Sequence, residues 1–185
     1  MTQADKNFIE TCKEIIEHGY SSEGTGVRTR WQDGEEANYI SIVGVTNKYD
    51  VEKELPMITL RNNTKTVINA IDEILWIWQK KSNNINDLNS HIWDQWANED
   101  GSLGKTYGYQ LGKKYKFKTK EGIQEMDQVE YVLYLLKHDQ ASRRIMTNLF
   151  NHEELKDMNL EPCAYGTQWL VKDGKLHLIL NQRSQ

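Results

Sequence analysis

The sequence is poor in cysteine, has no excess of basic residues and contains no long apolar run. Two cysteines among 185 residues cannot build a disulfide framework, so in a reducing compartment Cys163 would be a free thiol. A formal net charge of −4 argues against DNA binding, which needs a basic surface. Because no apolar run reaches membrane-spanning length and the first residues lack the order of a signal peptide, we expect a cytoplasmic protein without a membrane partner.

Metal-binding and nucleoside-triphosphate motifs are also absent from the sequence. The five histidines show no metal-ligand spacing and Cys163 has no cysteine close to it, so we expect no metal site. Gly104, Lys105 and Thr106 resemble the end of a phosphate-binding P-loop, but the glycine that this motif requires further upstream is replaced by Glu99. ATP or GTP binding through this segment is therefore set aside.

Composition and apolar spacing predict one folded domain over residues 1–185. Hydrophobic residues make up 38% and charged residues 27% of the chain, as in ordinary globular proteins. Helices are predicted at 3–18, 65–80 and 126–138, with shorter ones at 91–96 and 152–158. Strands are predicted within 38–49 and 145–150, a short strand or turn at 57–60, a loop at 19–35, and a loop or hairpin at 111–124.

The last part of the sequence predicts a β-hairpin that carries Cys163. Asp173 and Gly174 form the strongest kind of two-residue turn signal. Counting outward from this turn places Ser184 opposite Cys163, with Arg183 beside it. A bulge in the hairpin would change the face that Arg183 occupies. The sequence therefore predicts that Arg183 and Ser184 lie near Cys163, but not which of their side chains faces the thiol.

An arginine close to a thiol favours the thiolate, which is the nucleophilic form of cysteine. A serine and an arginine together can also hold a phosphate or an oxyanion. These residues predict that Cys163 attacks an electrophilic carbon of a phosphorylated substrate. Further arginines lie on a glycine-rich loop and before a predicted strand, where they are either solvated or anion-binding. The candidate phosphate ligands are Arg183, Ser184, Arg28, Arg143 and Arg144.

Three further residues have two interpretations each. Glu73 lies between apolar helix positions, where it either faces solvent or is held at a site. A buried carboxylate would have a raised pKa and could move protons near neutral pH. Trp93 and Trp96 lie on one face of a short helix, where they either belong to the core or form a flat platform for a heteroaromatic ring. The sequence leaves both questions open.

Motifs spread along the chain resemble those of the thymidylate synthases, in the tryptophan-rich variant of bacilli and their phages. Their order is also that of the family, and they extend from one end of the chain to the other. The resemblance therefore implies the thymidylate synthase fold, an α/β protein of the α+β type with a mixed, largely antiparallel sheet packed with helices. The motifs are Arg28-Thr29, Glu73-Ile74-Leu75-Trp76, Ile92-Trp93-Asp94-Gln95-Trp96, Gly104 to Gly108, Ser142-Arg143-Arg144, Leu160-Glu161-Pro162-Cys163 and Gln182-Arg183-Ser184.

The resemblance implies reductive methylation of dUMP to dTMP in nucleotide biosynthesis, with 5,10-methylenetetrahydrofolate as co-substrate and no metal. Cys163 would add to carbon 6 of the uracil ring. Glu73 would organise proton transfer at the pyrimidine, and Tyr107 would belong to the proton-moving network near the cysteine. Trp93 and Trp96 would line the folate pocket, since the folate supplies both the carbon and a hydride.

The resemblance also implies a homodimer whose sheets pack back to back. Arg28, Arg183 and Ser184 would bind the phosphate of dUMP within one subunit. Arg143 and Arg144 would reach the same phosphate from the partner subunit. The expected partners are thus dUMP, the folate and a second copy of the chain.

The chain differs from the family's pattern at its last residues. It stops at Gln185, inside the family's Arg-Ser-x-Asp segment, so the Leu-Gly-x-Pro-Phe-Asn run, the His and Tyr that hold the sugar and the closing segment are expected to be missing. One hypothesis is a fragment of a thymidylate synthase gene product whose activity needs the remaining part. The alternative is a truncated, catalytically inactive nucleotide-binding or interaction protein, such as a phage product, that pairs with an intact subunit. Ala164, where many members have histidine, is a smaller departure.

Overall fold

Residues 1–60 and 64–184 are described by the structure, which is a computed structural model, so Gln185 lies outside the described residues. Contacts between residues divide the chain into two compact units, Met1–Thr64 and Lys65–Gln185. The single domain predicted over 1–185 stays a prediction. Among the described residues, no helix combines the length and the apolar character needed to cross a membrane.

One amphipathic helix dominates the first unit. Helix α1, Gln3–His18, has the bounds that its apolar spacing predicts. A capping box closes its N-terminus, because Thr2 Oγ1 accepts from the backbone N–H of Asp5 and the Asp5 carboxylate accepts from the backbone N–H of Thr2. The Asp5 side chain is fully buried and also accepts from the backbone N–H (2.6 Å) and the hydroxyl (2.7 Å) of Thr59. Asp5 therefore fastens the segment around Thr59 to the start of α1.

Two short strands follow α1. Strand β1, Tyr20–Ser21, pairs antiparallel with β2, Ile40–Ser41. The strand predicted within 38–49 is therefore confirmed over only two residues, and 57–60, predicted as a strand or turn, forms no strand. Most of 19–35 is a loop, as its glycines predict. Because so short a ribbon contributes little stability, the contacts of α1 carry most of this unit's order.

We expect Asp5→Asn to reduce the acid dependence of this unit's stability. The hydrogen bond from the Thr59 hydroxyl, above all, lowers the pKa of Asp5 from 3.8 to about 2. Since the folded pKa lies below the ordinary one, the carboxylate stabilises the fold above about pH 4 and stops doing so as the pH falls towards 2. Urea unfolding, followed by circular dichroism between neutral pH and about pH 2, measures the effect.

Wild-type protein should lose stability across that pH window, whereas Asp5→Asn should start less stable and change less. Glu14→Gln, at an exposed position of the same helix, is the control and should behave like the wild type. Equal pH dependence in Asp5→Asn and wild-type protein would contradict the role given to this carboxylate.

Helix α2, Thr64–Ile74, continues into a π-helical segment, Leu75–Lys80. Residues 65–80 are thus helical as predicted, but with two different periods. Trp76 and Ile77, at the start of the π-helical turn, lie in the core with 1% and 6% of their surface exposed. The apolar residues whose spacing predicts the helix are instead roughly half exposed: Ile68, Ile71, Ile74 and Leu75.

Two clusters of buried apolar residues stabilise the second unit. The larger surrounds helix α3, Tyr107–Gly112, and consists of Trp76, Ile77, Leu88, Trp93, Leu103, Tyr107, Leu111 and Leu149. The smaller lies beneath helix α4, Gln128–His138, and consists of Val132, Leu135 and Ile145. Helix α4 confirms the prediction for 126–138, and its first residues are capped by Asp127 in a second capping box.

The strands of the second unit form a hairpin and a separate three-stranded sheet. The hairpin predicted as one alternative at 111–124 is formed by β3, Tyr115–Thr119, and β4, Gly122–Met126. The sheet has the order β5-β6-β7, and its strands are Met146–Asn148, Ala164–Lys172 and Lys175–Gln182. Every strand pair within the described residues is antiparallel, which confirms the predicted α+β class. Short 3₁₀ turns at Asp94–Trp96 and Leu155–Asp157 replace the two short helices.

The β6–β7 hairpin keeps the register of the predicted turn as far as Gly166 and then shifts at a bulge. Tyr165 is the extra residue, so every residue before it moves by one position relative to β7. Cys163 therefore lies opposite Arg183, whose backbone N–H donates to the Cys163 carbonyl at 2.9 Å. The predicted pairing of Cys163 with Ser184 is wrong for this reason, whereas the predicted closeness of residues Cys163 and Arg183 is confirmed by their backbone contact.

Candidate active site

Cys163 lies directly before β6 in a loop that is held on both sides. Its backbone N–H donates to the hydroxyl oxygen of Tyr107 at 2.8 Å, and its carbonyl accepts from the backbone N–H of Arg183. Pro162, the preceding residue, is fully buried and restricts the backbone there. Cys163 itself is half-buried. Its backbone is thus fixed while its side chain keeps some access to solvent.

Tyr107 reaches this loop because α3 packs unusually close to the chain after the π-helical segment. A Cβ atom on Gly108 would lie 1.9 Å from the carbonyl oxygen of Ser82, so this approach requires glycine. The residue before Tyr107 is Thr106, whose hydroxyl donates to the carbonyl of Leu160 at 3.0 Å. These contacts place the Tyr107 hydroxyl against the backbone of the cysteine loop.

The Tyr107 hydroxyl remains protonated at neutral pH. Burial is the main cause that raises the pKa of Tyr107, although the hydrogen bond from the Cys163 backbone N–H opposes that rise in part. Its oxygen accepts from the backbone N–H of Cys163, which leaves its own hydrogen to be donated elsewhere. Tyr107 can therefore donate a proton or a hydrogen bond beside the thiol.

Glu73 is held by a tryptophan. Trp93 Nε1 donates to Glu73 Oε1 at 2.7 Å. Burial raises the pKa of Glu73 above its ordinary value of 4.5, and the hydrogen bond from Trp93 opposes that rise in part. Of the two interpretations that the sequence leaves open, the structure favours a carboxyl group held at a site.

Trp93 connects Glu73 to Tyr107. Its ring centroid lies 5.7 Å from the Tyr107 ring in an edge-on arrangement and 5.4 Å from the ring of Trp96. Trp93 is buried, so it belongs both to the core and to this site, whereas Trp96 is half-buried. Glu73, Trp93, Tyr107 and Cys163 thus form one continuous series of contacts, called here the Glu73–Cys163 series. It joins a thiol to two groups that can exchange protons.

The guanidinium group of Arg183 lies across the cysteine loop. Its Nε donates to the carbonyl of Pro162 and its Nη2 to that of Glu161, each at 3.0 Å. These bonds orient the group and leave Nη1 to contact an anion. Ser184 follows directly and is exposed. Arg183 also lines a cavity of about 410 Å³ on the sheet, together with Tyr165 and other residues of the three strands.

The other predicted arginines lie at the surface. Arg143 and Arg144 are exposed in the turn before β5, and the carbonyl of Arg143 accepts from Gln168 Nε2 at 3.0 Å. Arg28 is exposed in a loop of the first unit. Their roles as phosphate ligands stay predictions. Within the described residues, no group of three His, Cys, Asp or Glu side chains is arranged to hold a metal ion.

Two polar residues that support the site are not among the site residues predicted from the sequence. Thr106 and Gln110 are completely buried, and both lie in the segment of Tyr107. The only sequence signal for them is the apolar spacing of Leu103, Tyr107 and Leu111, which places polar residues among core positions. Their importance depends on partners that are distant in the sequence.

We expect Trp93→Phe to raise the pKa of Glu73 further. Phenylalanine keeps an aromatic ring but lacks the indole N–H that donates to the carboxylate and lowers its pKa. Titration of a ¹³C-labelled Glu73 carboxyl group by NMR measures the change. Trp96→Phe is the control, because it leaves the Trp93–Glu73 hydrogen bond in place. An unchanged midpoint in Trp93→Phe would show that this bond does not set the acidity of Glu73.

Comparisons with known proteins agree on one family. A family model described as thymidylate synthase matches residues 6–185. The chain is 48% identical over 190 residues to thymidylate synthase 1 of Bacillus subtilis strain 168, and 46% identical to thymidylate synthase of Bacillus phage phi3T. Both alignments cover 100% of this chain and 65% of the relative. The solved structure of the thermostable thymidylate synthase A from Bacillus subtilis matches with a TM-score of 0.87 at 46% identity, covering 98% of this chain and 64% of that chain.

Proposed function

Because the chain belongs to the thymidylate synthase family and has its fold, we propose that its residues catalyse the reductive methylation of dUMP to dTMP. The observation that carries this proposal is the Glu73–Cys163 series, which joins a half-buried thiol to a buried tyrosine and a carboxyl group of raised pKa. The chain spans 65% of the length of the relatives that it matches, so activity is proposed for these residues and not for this chain by itself.

Cys163 is the proposed nucleophile. Its sulfur forms a bond to carbon 6 of the uracil ring, and the electron pair displaced from the ring makes carbon 5 nucleophilic. The anchored loop supports this role, because the Tyr107 hydroxyl and the backbone N–H of Arg183 hold the backbone that carries the thiol from both sides. A positioned thiol loses less entropy on reaching the transition state than a mobile one.

Glu73 and Tyr107 are the proposed proton-moving groups. A carboxyl group whose pKa is raised by burial exchanges protons closer to neutral pH than an exposed one. The Tyr107 hydroxyl keeps a hydrogen to donate beside the cysteine. Their link through Trp93 supports the assignment of both groups to one site.

The proposed co-substrate is 5,10-methylenetetrahydrofolate, which supplies a one-carbon unit and a hydride when bound. Trp96 fits the heteroaromatic part of such a molecule, because its ring is only half-buried and packs on the buried Trp93. Trp93 and Trp96 would therefore hold and orient the folate and exclude water from the pyrimidine.

The proposed phosphate ligands are Arg183 and Ser184 with Arg28, joined by two arginines of a partner subunit in a homodimer. Arg183 supports this, since its orientation on the cysteine loop leaves Nη1 to meet an anion. The exposure of Arg143 and Arg144 is consistent with a contact across subunits. A location in the cytoplasm stays a prediction.

A chimera tests the function. We expect a protein in which this chain replaces the matching 65% of Bacillus subtilis thymidylate synthase 1 to release tritium from carbon-5-labelled dUMP when the folate is present. The remaining third of the relative then supplies whatever this chain does not carry. Absence of tritium release from a folded chimera would overturn the proposed function. The comparisons do not favour the alternative of a catalytically inactive nucleotide-binding protein.

A further inference from the structure

Glu154 has an unusual number of polar partners in the segment between β5 and β6. Only 8% of its surface is exposed. Its Oε2 accepts from Gln110 Nε2 and from Asn151 Nδ2, each at 2.9 Å. Lys113 Nζ lies 3.0 Å from the same oxygen, and Lys105 Nζ lies 3.3 Å from Oε1. A carboxylate buried to this extent is stable only because such partners replace water.

The partners of Glu154 lie on both sides of Tyr107 in the sequence. Lys105 precedes α3, Gln110 lies within it and Lys113 directly follows it. Gln110 Nε2 also donates to the carbonyl of Lys105 at 2.8 Å, so the two ends are connected to each other. We call Glu154, Lys105, Gln110 and Lys113 the Glu154 clamp. It holds the helix of Tyr107 to the segment that leads to the thiol.

A row of backbone contacts continues from the clamp towards the thiol. The backbone N–H of Lys105 donates to the carbonyl of Asp157 at 2.8 Å, and Gly104 pairs with Met158 in an antiparallel bridge. A Cβ atom on Gly104 would lie 2.2 Å from the Asp157 oxygen, so the two segments touch as closely as backbones can. On the other side of Lys105, the Thr106 hydroxyl donates to the carbonyl of Leu160, and the Tyr107 hydroxyl accepts from the backbone N–H of Cys163.

We propose that Glu154 is a positioning residue for Cys163. By holding α3 against the segment between β5 and β6, the clamp keeps the Tyr107 hydroxyl at the backbone N–H of Cys163 and so sets the reactivity of the thiol. The proposal rests on the role of Cys163 as the nucleophile. Glu154 acts through Tyr107 and the loop, because its partners are the clamp residues and Asn151 of its own segment, and Cys163 is not among them.

The clamp is charged at neutral pH. The hydrogen bond from Gln110, followed by the contacts of both lysines, lowers the pKa of Glu154 to about 2, although burial opposes this. Replacing the carboxylate with an amide leaves the size of the side chain unchanged but removes its attraction for the two lysines. α3 is then held mainly by neutral contacts, and the Tyr107 hydroxyl moves more freely relative to the thiol.

The test measures the rate at which iodoacetamide alkylates Cys163, in a Cys12→Ala background so that only one thiol reacts. We expect Glu154→Gln to raise that rate at least fivefold, because a looser loop exposes the thiol. The Tyr107 pKa, followed by NMR of ¹³C-labelled tyrosine, should fall towards its ordinary value of 10.0, because burial is the main cause that raises it and a looser loop reduces that burial. Neither measurement needs dUMP or the folate, so the result does not depend on whether the proposed reaction occurs.

Asp127→Asn is the matched control. Asp127 is 2% exposed and is also ion-paired to two lysines, Lys81 at 2.6 Å and Lys114 at 3.2 Å, but it caps α4 and its partners are not those of the Glu154 clamp. It should lose comparable stability and change the alkylation rate less than twofold. Equal changes in the two variants, or no change in Glu154→Gln, would overturn the proposal.

Lys113→Gln provides a second variant if Glu154→Gln does not fold. Lys113 is partly exposed, and its loss leaves the amide partners of the carboxylate in place. We expect its alkylation rate to rise in the same direction by at least twofold. A folded Lys113→Gln protein with the wild-type rate would overturn the proposal as well.

Discussion

Cys163→Ser is expected to abolish covalent capture of 5-fluoro-dUMP by the chimera of this chain with the remaining third of its Bacillus subtilis relative. The thiolate is the nucleophilic form of cysteine, whereas a serine hydroxyl supplies almost no alkoxide at neutral pH. The loop geometry should survive, because the hydrogen bonds of Cys163 to Tyr107 and Arg183 use only its backbone atoms. The expected effect is therefore complete loss of chemistry in a folded site.

Mass spectrometry of the intact protein detects the adduct, and equilibrium binding of dUMP shows whether the site still holds the nucleotide. Cys12→Ser is the control, since Cys12 lies in α1 of the first unit. It should form the adduct at the wild-type level. An adduct that persists in Cys163→Ser would rule out this residue as the nucleophile.

Glu73→Gln is expected to reduce tritium release from carbon-5-labelled dUMP by about 10²- to 10⁴-fold, the usual contribution of a positioned acid or base. Glutamine keeps the shape of the side chain and an oxygen that accepts from Trp93 Nε1, so the Glu73–Cys163 series should remain assembled. Only the ability to exchange a proton is lost. Covalent capture of 5-fluoro-dUMP should therefore be affected less than tritium release.

The stability of Glu73→Gln should move in the opposite direction from its activity. Burial raises the folded pKa of Glu73 above its unfolded value of 4.5, so the charged form destabilises the fold once the pH rises above that value. The neutral amide removes this cost, and Glu73→Gln should be at least as stable as the wild type at neutral pH. Glu99→Gln, at an exposed position, serves as the control for both measurements. Normal tritium release, or a marked loss of stability, would refute the role of Glu73 as a buried proton-exchanging group.

The sequence predicts best those features that depend on neighbouring residues. Helix α1 has its predicted bounds because a capping box and an amphipathic pattern are both local signals. The turn at Asp173 and Gly174 likewise fixes the register of most of the β6–β7 hairpin. A bulge is expected in so long a hairpin, but no local signal in the sequence marks its position at Tyr165.

Burial is harder to predict than helicity, and the helix of Glu73 shows why. An apolar stripe predicts that α2 is a helix, yet the residues of that stripe are roughly half exposed. The switch to π-helical turns after Ile74 places Trp76 and Ile77 in the core instead. A change of helical period cannot be read from spacing that assumes one period.

The candidate site is mostly accessible to sequence reasoning, because its motifs resemble those of a known family. The residues that contact those motifs from elsewhere in the chain cannot be predicted from the sequence in this way. The hydrogen bond from Trp93 to Glu73, the approach of Gly108 to Ser82 and the Glu154 clamp all join residues from separate parts of the chain. Such contacts become visible only once the fold is known.

The bulge at Tyr165 has a consequence for insertions and deletions. In a strand, adding or removing one residue moves every side chain beyond it to the opposite face. Between the bulge and the turn, inserting or deleting one residue would therefore turn the cysteine loop away from Arg183. Inserting or deleting two residues would return the side chains to their original face. Length variation in natural or engineered versions of this hairpin should accordingly be tolerated at the Asp173-Gly174 turn and selected against between Cys163 and that turn.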